Sequence, residues 1–159
     1  MAKPTSTNVT RLLDDRKVDY EIFTFPSDIH SAQGVSEVVG VPVERVYKSL
    51  VVMREHGKPL VVMVGGDREL SLKDVARAVG EKKVRMATVR EAESLTGLKV
   101  GGISALALLS KPFELFIDER VLEHNRVLLS AGKRGVNIQL AVSDLIVLSC
   151  AQVIDATRG

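Results

Sequence analysis

Hydrophobic and polar positions along the chain follow a helical period in five stretches. Apolar side chains over residues 9–13 share one helical face, and Thr5, Ser6 or Thr7 is suited to cap its start. Ser71 and Thr88 open stretches with a capping-box spacing, and Gly40, Gly80 and Gly97 stand where left-handed residues commonly end helices. The pattern therefore predicts further helices over residues 31–39, 71–80, 88–97 and 143–148.

Other stretches alternate with a period of two or form short apolar runs, which is typical of strands. They predict strands over residues 20–25, 50–53, 60–64, 84–86, 113–117, 126–129, 137–141 and 152–154. Only residues 54–59, which include Gly57 and Pro59, separate the second run from the third, so a hairpin is expected there. Interspersed helices with a tight hairpin favour an α+β fold with a mixed or partly closed, barrel-like sheet over a doubly wound parallel sheet.

Composition places the chain among globular proteins. The chain has 159 residues, of which 45% are hydrophobic and 26% charged, so a single domain over residues 1–159 with a full core is expected. A net charge of +2 permits an acidic partner such as RNA without requiring one. A single cysteine, Cys150, excludes an internal disulfide, and its apolar neighbours predict a buried small side chain. The sequence has neither a secretory signal nor an apolar run long enough for a membrane span, so a cytoplasmic location is expected.

Three short segments carry the candidate chemistry. Residues 46–50 (Val-Tyr-Lys-Ser-Leu) place one lysine, Lys48, at the mouth of a predicted strand. Residues 101–104 (Gly-Gly-Ile-Ser) and 130–135 (Ser-Ala-Gly-Lys-Arg-Gly) are rich in glycine and hydroxyl groups. Such loops present backbone N–H groups to oxygen-rich ligands. One amine and two amide-presenting loops suit a nucleotide or an activated carboxyl group better than a metal or a lipid.

Five segments of the chain resemble the YbaK family of free-standing aminoacyl-tRNA deacylases, which is related to the editing domain inserted in bacterial prolyl-tRNA synthetases. The segments are 47–50, 70–76 (Leu-Ser-Leu-Lys-Asp-Val-Ala), 96–97 (Thr-Gly), 101–104 and 132–135 (Gly-Lys-Arg-Gly), in the order and spacing of that family. The resemblance implies an α+β fold on a mixed, barrel-like sheet with surrounding helices. It also implies hydrolytic release of an amino acid wrongly attached to tRNA, without a metal or cofactor. The implied partners are the aminoacylated acceptor end of tRNA and a prolyl-tRNA synthetase.

The resemblance gives Lys48 the central role, because activity in the family depends chiefly on the lysine at this position. We expect Lys48 to position the ester as an electrophile rather than to act as a base; without the resemblance, a solvated surface lysine would be favoured. Backbone N–H groups of residues 102–104 could stabilise the developing oxyanion. The predicted substrate-binding residues are Tyr20, Gly101, Gly102, Ile103, Ser104, Ser130, Gly132 and Asn137.

For several other candidate residues, the sequence allows both a functional and a purely structural interpretation. Lys133 and Arg134 could hold phosphates of the acceptor end or form a basic hairpin turn. Ser104 and Ser130 lack a nucleophile-elbow motif and are expected to bind rather than attack. His30, beside the predicted helix start, could face the site, although a capping or surface position is favoured.

Two positions depart from the family pattern. Ala105 stands where relatives commonly carry a proline, which predicts a looser or differently shaped loop. Asn137 stands where many carry an aspartate, which keeps hydrogen bonding but loses an ion pair. The leading hypothesis is removal of cysteine or alanine from a proline tRNA; in the cysteine-specific branch the substrate's own thiol would attack, which is formally a lyase reaction. The alternatives are a non-catalytic tRNA-binding or synthetase-associated module, and a small-molecule binding protein.

Overall fold

Short helices surround β-strands in the computed structural model, which describes residues 6–159. The α-helices, each of eight residues, are α1 (Asn8–Asp15), α2 (Ala32–Val39), α3 (Leu72–Val79), α4 (Val89–Thr96) and α5 (Val142–Ser149). The strands are β1 (Tyr20–Thr24), β2 (Tyr47–Arg54), β3 (Leu60–Gly65), β4 (Glu69–Leu70), β5 (Val84–Met86), β6 (Glu114–Asp118), β7 (Arg126–Lys133), β8 (Val136–Ala141), β9 (Gln152–Ile154) and β10 (Thr157–Arg158). Within residues 6–159, each helix is too short to cross a bilayer.

The strands form two larger sheets and one small ribbon. The five-stranded sheet has the order β5-β2-β3-β6-β9, with antiparallel pairs through β3 and parallel pairs beyond it. The three-stranded sheet β1-β8-β7 is antiparallel, and β4 pairs with β10. A single bridge between Val46 and Leu128 joins the larger sheets, and the strand pairs of residues 6–159 do not close a barrel. The predicted α+β fold with a mixed sheet is confirmed.

The largest core cluster fills the space between the two larger sheets. Val61 and Met63 of β3 belong to one buried cluster with Leu129 and Ile138 of the other sheet and Leu13 of α1; all five are essentially inaccessible. All six residues of β3 are buried, which explains why this central strand reads as a continuous apolar run.

Capping side chains set the helix ends that the sequence predicts. The hydroxyl of Thr7 accepts from the Thr10 amide at the start of α1, and the alternative cap Thr5 lies outside the described residues. Ser31, Ser71 and Thr88 cap the next three helices in the same way. Each of these helices ends at a glycine with positive φ, namely Gly40, Gly80 and Gly97. The predicted starts of these four helices and the terminal glycines predicted for the last three are confirmed.

The environment of Cys150 differs from the prediction: the side chain is exposed, so the expectation of a buried thiol was wrong. Cys150 ends α5 in the left-handed region at φ 53°. The preceding residue, Ser149, takes the buried position and donates to the Leu145 carbonyl at 2.7 Å. An apolar sequence neighbourhood does not reveal such a change of direction at a helix end.

The C-terminal residues are held by a buried carboxylate that the sequence does not reveal. Asp118, at the end of β6, is completely buried and accepts from the Ala156 amide at 2.9 Å and the Thr157 hydroxyl at 3.0 Å. Arg120 supplies the opposite charge at 3.2 Å. This arrangement fixes β10 beside β4, two short strands that periodicity alone does not predict.

Candidate functional site

A cavity of about 370 Å³ lies beside the N-terminal half of β2. Its walls come from β2 itself, the start of α2, the end of β5 and the start of α4, the glycine-rich loop at 101–103, and the β7–β8 pair. Aliphatic groups form most of the surface, and the polar groups are few. The residues that line it include His30, Lys48, Ser49, Gly101, Ile103, Ser130 and Asn137.

The cavity occupies a gap in the large sheet. β5 pairs with β2 only from Val52 to Arg54, and the Ala87 amide donates to the Val51 carbonyl at 3.0 Å. Within residues 6–159, no strand continues this pairing along residues 48–50. Backbone groups alternate between the two edges of a strand, so the N–H and C=O of Ser49 point to the same edge as those of Val51. The gap therefore leaves peptide groups of β2 facing the cavity.

Lys48 is the second residue of β2, opposite Val64 of β3. Its side chain is exposed and lines the cavity. Among the residues that the structure describes, its ammonium has no carboxylate within ion-pair distance. An unpaired ammonium at the mouth of an apolar cavity is available to an anionic or carbonyl oxygen of a ligand.

The glycine-rich loop packs tightly on both sides. Gly101 has φ +93°, and a Cβ there would lie 2.4 Å from the Cβ of His30. A Cβ on Gly102 would lie 2.9 Å from the backbone nitrogen of Arg134. The Arg134 guanidinium donates through Nε to the Val100 carbonyl at 2.6 Å. The loop is thus held between the start of α2 and the β7–β8 turn, which brings the two glycine-rich segments together.

The backbone N–H groups of this loop differ in whether they donate to a protein acceptor. The Gly102 N–H donates to the Lys99 carbonyl at 2.7 Å, so it is not free for an oxyanion. Ser104 is fully buried outside the cavity, and its hydroxyl has no hydrogen-bond partner among the described residues. Within the same residues, the N–H groups of Gly101 and Ile103 donate to no protein acceptor, and both residues line the cavity. Of the three backbone N–H groups at 102–104 that were expected to stabilise an oxyanion, only that of Ile103 is available at the cavity. The N–H of Gly101, which was not predicted for this role, is available as well.

A hydrogen bond ties the loop to β2 directly. The Ala105 N–H donates to the Ser49 hydroxyl at 3.2 Å, and Ala105 is completely buried. Ser104 has φ −136° and ψ 130°, an extended conformation that also suits a residue before proline. The sequence predicted a looser loop because Ala105 stands where relatives have proline. Ala105 instead supplies an N–H, which a proline lacks, and this N–H attaches the loop to Ser49. The tie fixes the loop beside Lys48.

We expect loss of the Ser49 hydroxyl to lower kcat/KM of the reaction proposed below roughly three- to tenfold, chiefly through kcat, because the loop loses an anchor. Ala105→Pro removes the N–H of the same bond. The two changes together should therefore cost little more than the larger single change. Steady-state kinetics of Ser49→Ala, Ala105→Pro and the double variant measure this coupling, with Ser143→Ala, at an exposed position of α5, as control. If the loss of kcat/KM in the double variant equals the two single losses combined, the hydrogen bond between Ser49 and Ala105 does not hold the loop.

Ser130 and Asn137 face each other across the β7–β8 pair, and both line the cavity. The Ser130 hydroxyl accepts from the Gly132 amide at 3.1 Å and keeps its own proton to donate. Asn137 is 6% exposed, and its carboxamide has no hydrogen-bond partner among residues 6–159. A carboxamide on a largely buried residue that keeps accessible surface at a cavity is well placed to bind a polar group of a ligand.

The remaining predicted site residues lie away from the cavity. The Tyr20 hydroxyl donates to Asp14 at 2.9 Å; partial burial and this carboxylate raise the pKa of Tyr20. Gly132 lies at the irregularity of β7, close to Val9 and Ala107. Lys133 and Arg134 do form the basic hairpin turn, with Lys133 exposed and Arg134 committed to the loop as described. The structure thus brings together Lys48, Gly101, Ile103, Ser130 and Asn137.

Sequence reasoning missed the wall supplied by β5 and α4. Met86 and Val89 line the cavity and are exposed, and Ala92 closes it from α4. Tyr47 was also missed; burial, followed by the nearby Asp118 carboxylate, raises its pKa above the usual range. The Thr88 cap signals where α4 begins, but no local pattern indicates that this helix packs beside β2.

Comparisons with known proteins show which chains this one is similar to. A family model described as an aminoacyl-tRNA editing domain matches residues 26–148. EbsC of Enterococcus faecalis, named as a candidate Cys-tRNA(Pro)/Cys-tRNA(Cys) deacylase, is 35% identical over 153 residues, which are 95% of this chain and 93% of EbsC. The proline–tRNA ligase of Maridesulfovibrio salexigens is 28% identical over 110 residues, 69% of this chain but 18% of the ligase.

A solved structure agrees with these sequence similarities. The crystal structure described as a candidate trans-editing enzyme for prolyl tRNA synthetase has a TM-score of 0.84 and 27% identity, and the match covers 100% of both chains. The free-standing relatives thus match this chain over nearly their whole length, whereas the ligase matches it over a small part of its own.

Proposed function

Because the chain belongs to the aminoacyl-tRNA editing domain family, we propose that it is a trans-acting deacylase for misacylated tRNA. Its proposed substrate is a proline tRNA carrying cysteine or alanine, bound by its aminoacylated acceptor end. The observation that carries the proposal is the meeting of one unpaired ammonium, Lys48, with the two uncommitted amides of Gly101 and Ile103 at a single cavity. These groups match what cleavage of an acyl ester requires.

Lys48 acts as a positioning electrophile for the ester. Its ammonium binds the carbonyl oxygen or a neighbouring ribose or phosphate oxygen, and it holds the acyl carbon beside the loop. The amides of Gly101 and Ile103 donate to the oxygen on which negative charge develops, and each such donor commonly contributes about 10²–10³ in rate. The side chains are thus needed for position and polarisation more than for proton transfer.

The apolar walls supply selection for the amino acid. Val51 and Ala92, with Ile103, offer aliphatic surface suited to a short side chain such as that of alanine or cysteine. The volume of about 370 Å³ lies near the lower end of the range of roughly 300–1,000 Å³ that is usual for small-molecule sites. For alanine the nucleophile is water; for cysteine the substrate thiol can attack its own ester, and both routes use the same positioning groups.

Outside the cavity, the β7–β8 turn is the proposed phosphate contact. Lys133 is exposed there, directly beside the loop that carries the free amides. A lysine at such a place binds phosphates without reading sequence, so choice of tRNA falls to another surface or to an associated prolyl-tRNA synthetase.

A panel of acylated tRNAs tests the proposal. Proline tRNA carrying proline, alanine, cysteine or serine is incubated with the purified protein, and the remaining ester is measured over time. We expect release of alanine or cysteine and retention of proline. Retention of every amino acid would contradict the proposal. Tight tRNA binding without any release would instead favour the non-catalytic module.

A further inference from the structure

None of the described residues that line the cavity is acidic. Among the described residues that line it, Lys48 is the one lysine, His30 is the one histidine, and there is no arginine. Two nearby carboxylates are engaged elsewhere: Glu93 accepts from the Val100 amide at 2.9 Å, and Asp118 holds the C-terminal residues. Asp67 and Glu123, whose charges also act on Tyr47, do not line the cavity. A cationic group entering the cavity therefore meets no carboxylate and one lysine among the described lining residues.

The lack of a lining carboxylate affects which acyl groups the cavity can bind, because an aminoacyl ester carries an α-amino group that is largely protonated near neutral pH. Burying an ammonium without a carboxylate is unfavourable, and Lys48 adds repulsion. Among the described lining residues, Asn137 is only 6% exposed, and its carboxamide makes no hydrogen bond to protein and keeps accessible surface at the cavity. A carboxamide both donates and accepts, so it binds a neutral amine and a hydroxyl equally well.

We propose that the cavity binds the acyl group with an uncharged α-substituent, and that the protein therefore also releases α-hydroxyacyl groups from tRNA. This inference rests on the proposed deacylase function and extends its substrate class. In the reaction with a lactyl ester, water adds to the acyl carbon and the bond from that carbon to the ribose oxygen breaks. The ribose oxygen takes a proton, and the products are lactic acid and a free 3′ end. The reaction requires neither an oxidant nor a reductant.

Matched substrate pairs test the inference. Proline tRNA is acylated with alanine or lactic acid, and separately with cysteine or 3-mercaptolactic acid; within each pair only the α-substituent differs. For the pair whose amino form is released, we expect kcat/KM of the hydroxy form to lie within about threefold of the amino form. The isosteric change Asn137→Asp places a carboxylate at this point, and the amino form should then be preferred by roughly ten- to hundredfold.

The control is Asn125→Asp, a change of the same chemistry at an exposed position ahead of β7, which should leave the ratio unchanged. Circular dichroism and urea unfolding show whether Asn137→Asp is folded, and wild-type selectivity is measured independently of that variant. Rejection of the hydroxy form by more than tenfold, with the amino form released, overturns this inference and leaves the deacylase function standing. If none of the four substrates is released, both proposals fail. An unchanged ratio in folded Asn137→Asp overturns the role given to Asn137.

Discussion

Lys48→Ala is expected to lower kcat/KM of deacylation by at least about a hundredfold, because the cavity then holds no cation to position the ester. Among residues 6–159, no second lysine or arginine lines the cavity to replace it. The side chain is exposed and lacks an ion pair within the described residues, so its removal should leave the free energy of unfolding nearly unchanged. Single-turnover release of the amino acid, with urea unfolding in parallel, separates the two effects.

Two further variants sharpen this prediction. Lys58→Ala removes a lysine from the exposed β2–β3 turn and should retain full activity. Lys48→Arg keeps the charge but replaces a compact ammonium with a planar guanidinium, so we expect only partial recovery. Activity of Lys48→Ala within threefold of the wild type would remove Lys48 from the mechanism.

Gly101→Ala is expected to give the second large loss, because the new Cβ would fall 2.4 Å from the Cβ of His30 while φ stays at +93°. Backbone and side chain must both move, and the free amides of Gly101 and Ile103 would move with them. We expect kcat/KM to fall roughly ten- to hundredfold, with a loss of about 1–3 kcal/mol in unfolding free energy. Deacylation kinetics and urea denaturation measure the two.

Gly97→Ala is the matched control for this change. Gly97 also has positive φ, +74°, but a Cβ there would meet no atom within 4 Å. It should show the cost of left-handed strain, about 1 kcal/mol, without the clash and with activity retained. Equal losses of activity in the two variants would show that strain alone, and not the contact with His30, governs the loop.

Local chemistry explains why so much of the fold follows from the sequence. The caps at Ser31, Ser71 and Thr88 and the glycines that end their helices act within four residues, and the structure confirms them. The two-residue strands β4 and β10 depend instead on the distant Asp118. Their pairing is a property of the folded chain, so no period in the sequence could indicate it.

In the candidate site, too, some features follow from the local sequence and others depend on tertiary packing. Lys48 and the glycine-rich loop are predicted from the sequence because their segments have the order and spacing of a known family, whereas the lysine alone would be interpreted as a solvated surface residue. Gly101 and Gly102 are identical neighbours, yet one amide lacks a protein acceptor at the cavity and the other is bound to the Lys99 carbonyl. Which of two adjacent glycines faces a ligand depends on the packing of His30 and of the β7–β8 turn. That packing is tertiary and leaves no local signal.

The Asp118 arrangement has a practical consequence for producing the protein. Deleting the last four residues would strip the buried carboxylate of its Ala156 and Thr157 donors and expose the edge of β4. Trimming of the C-terminus by proteases during expression would therefore yield a chain prone to aggregate. Gly159 itself is exposed, and no atom lies within 4 Å of an added Cβ, so an affinity tag fused after it leaves the carboxylate and both donors in place.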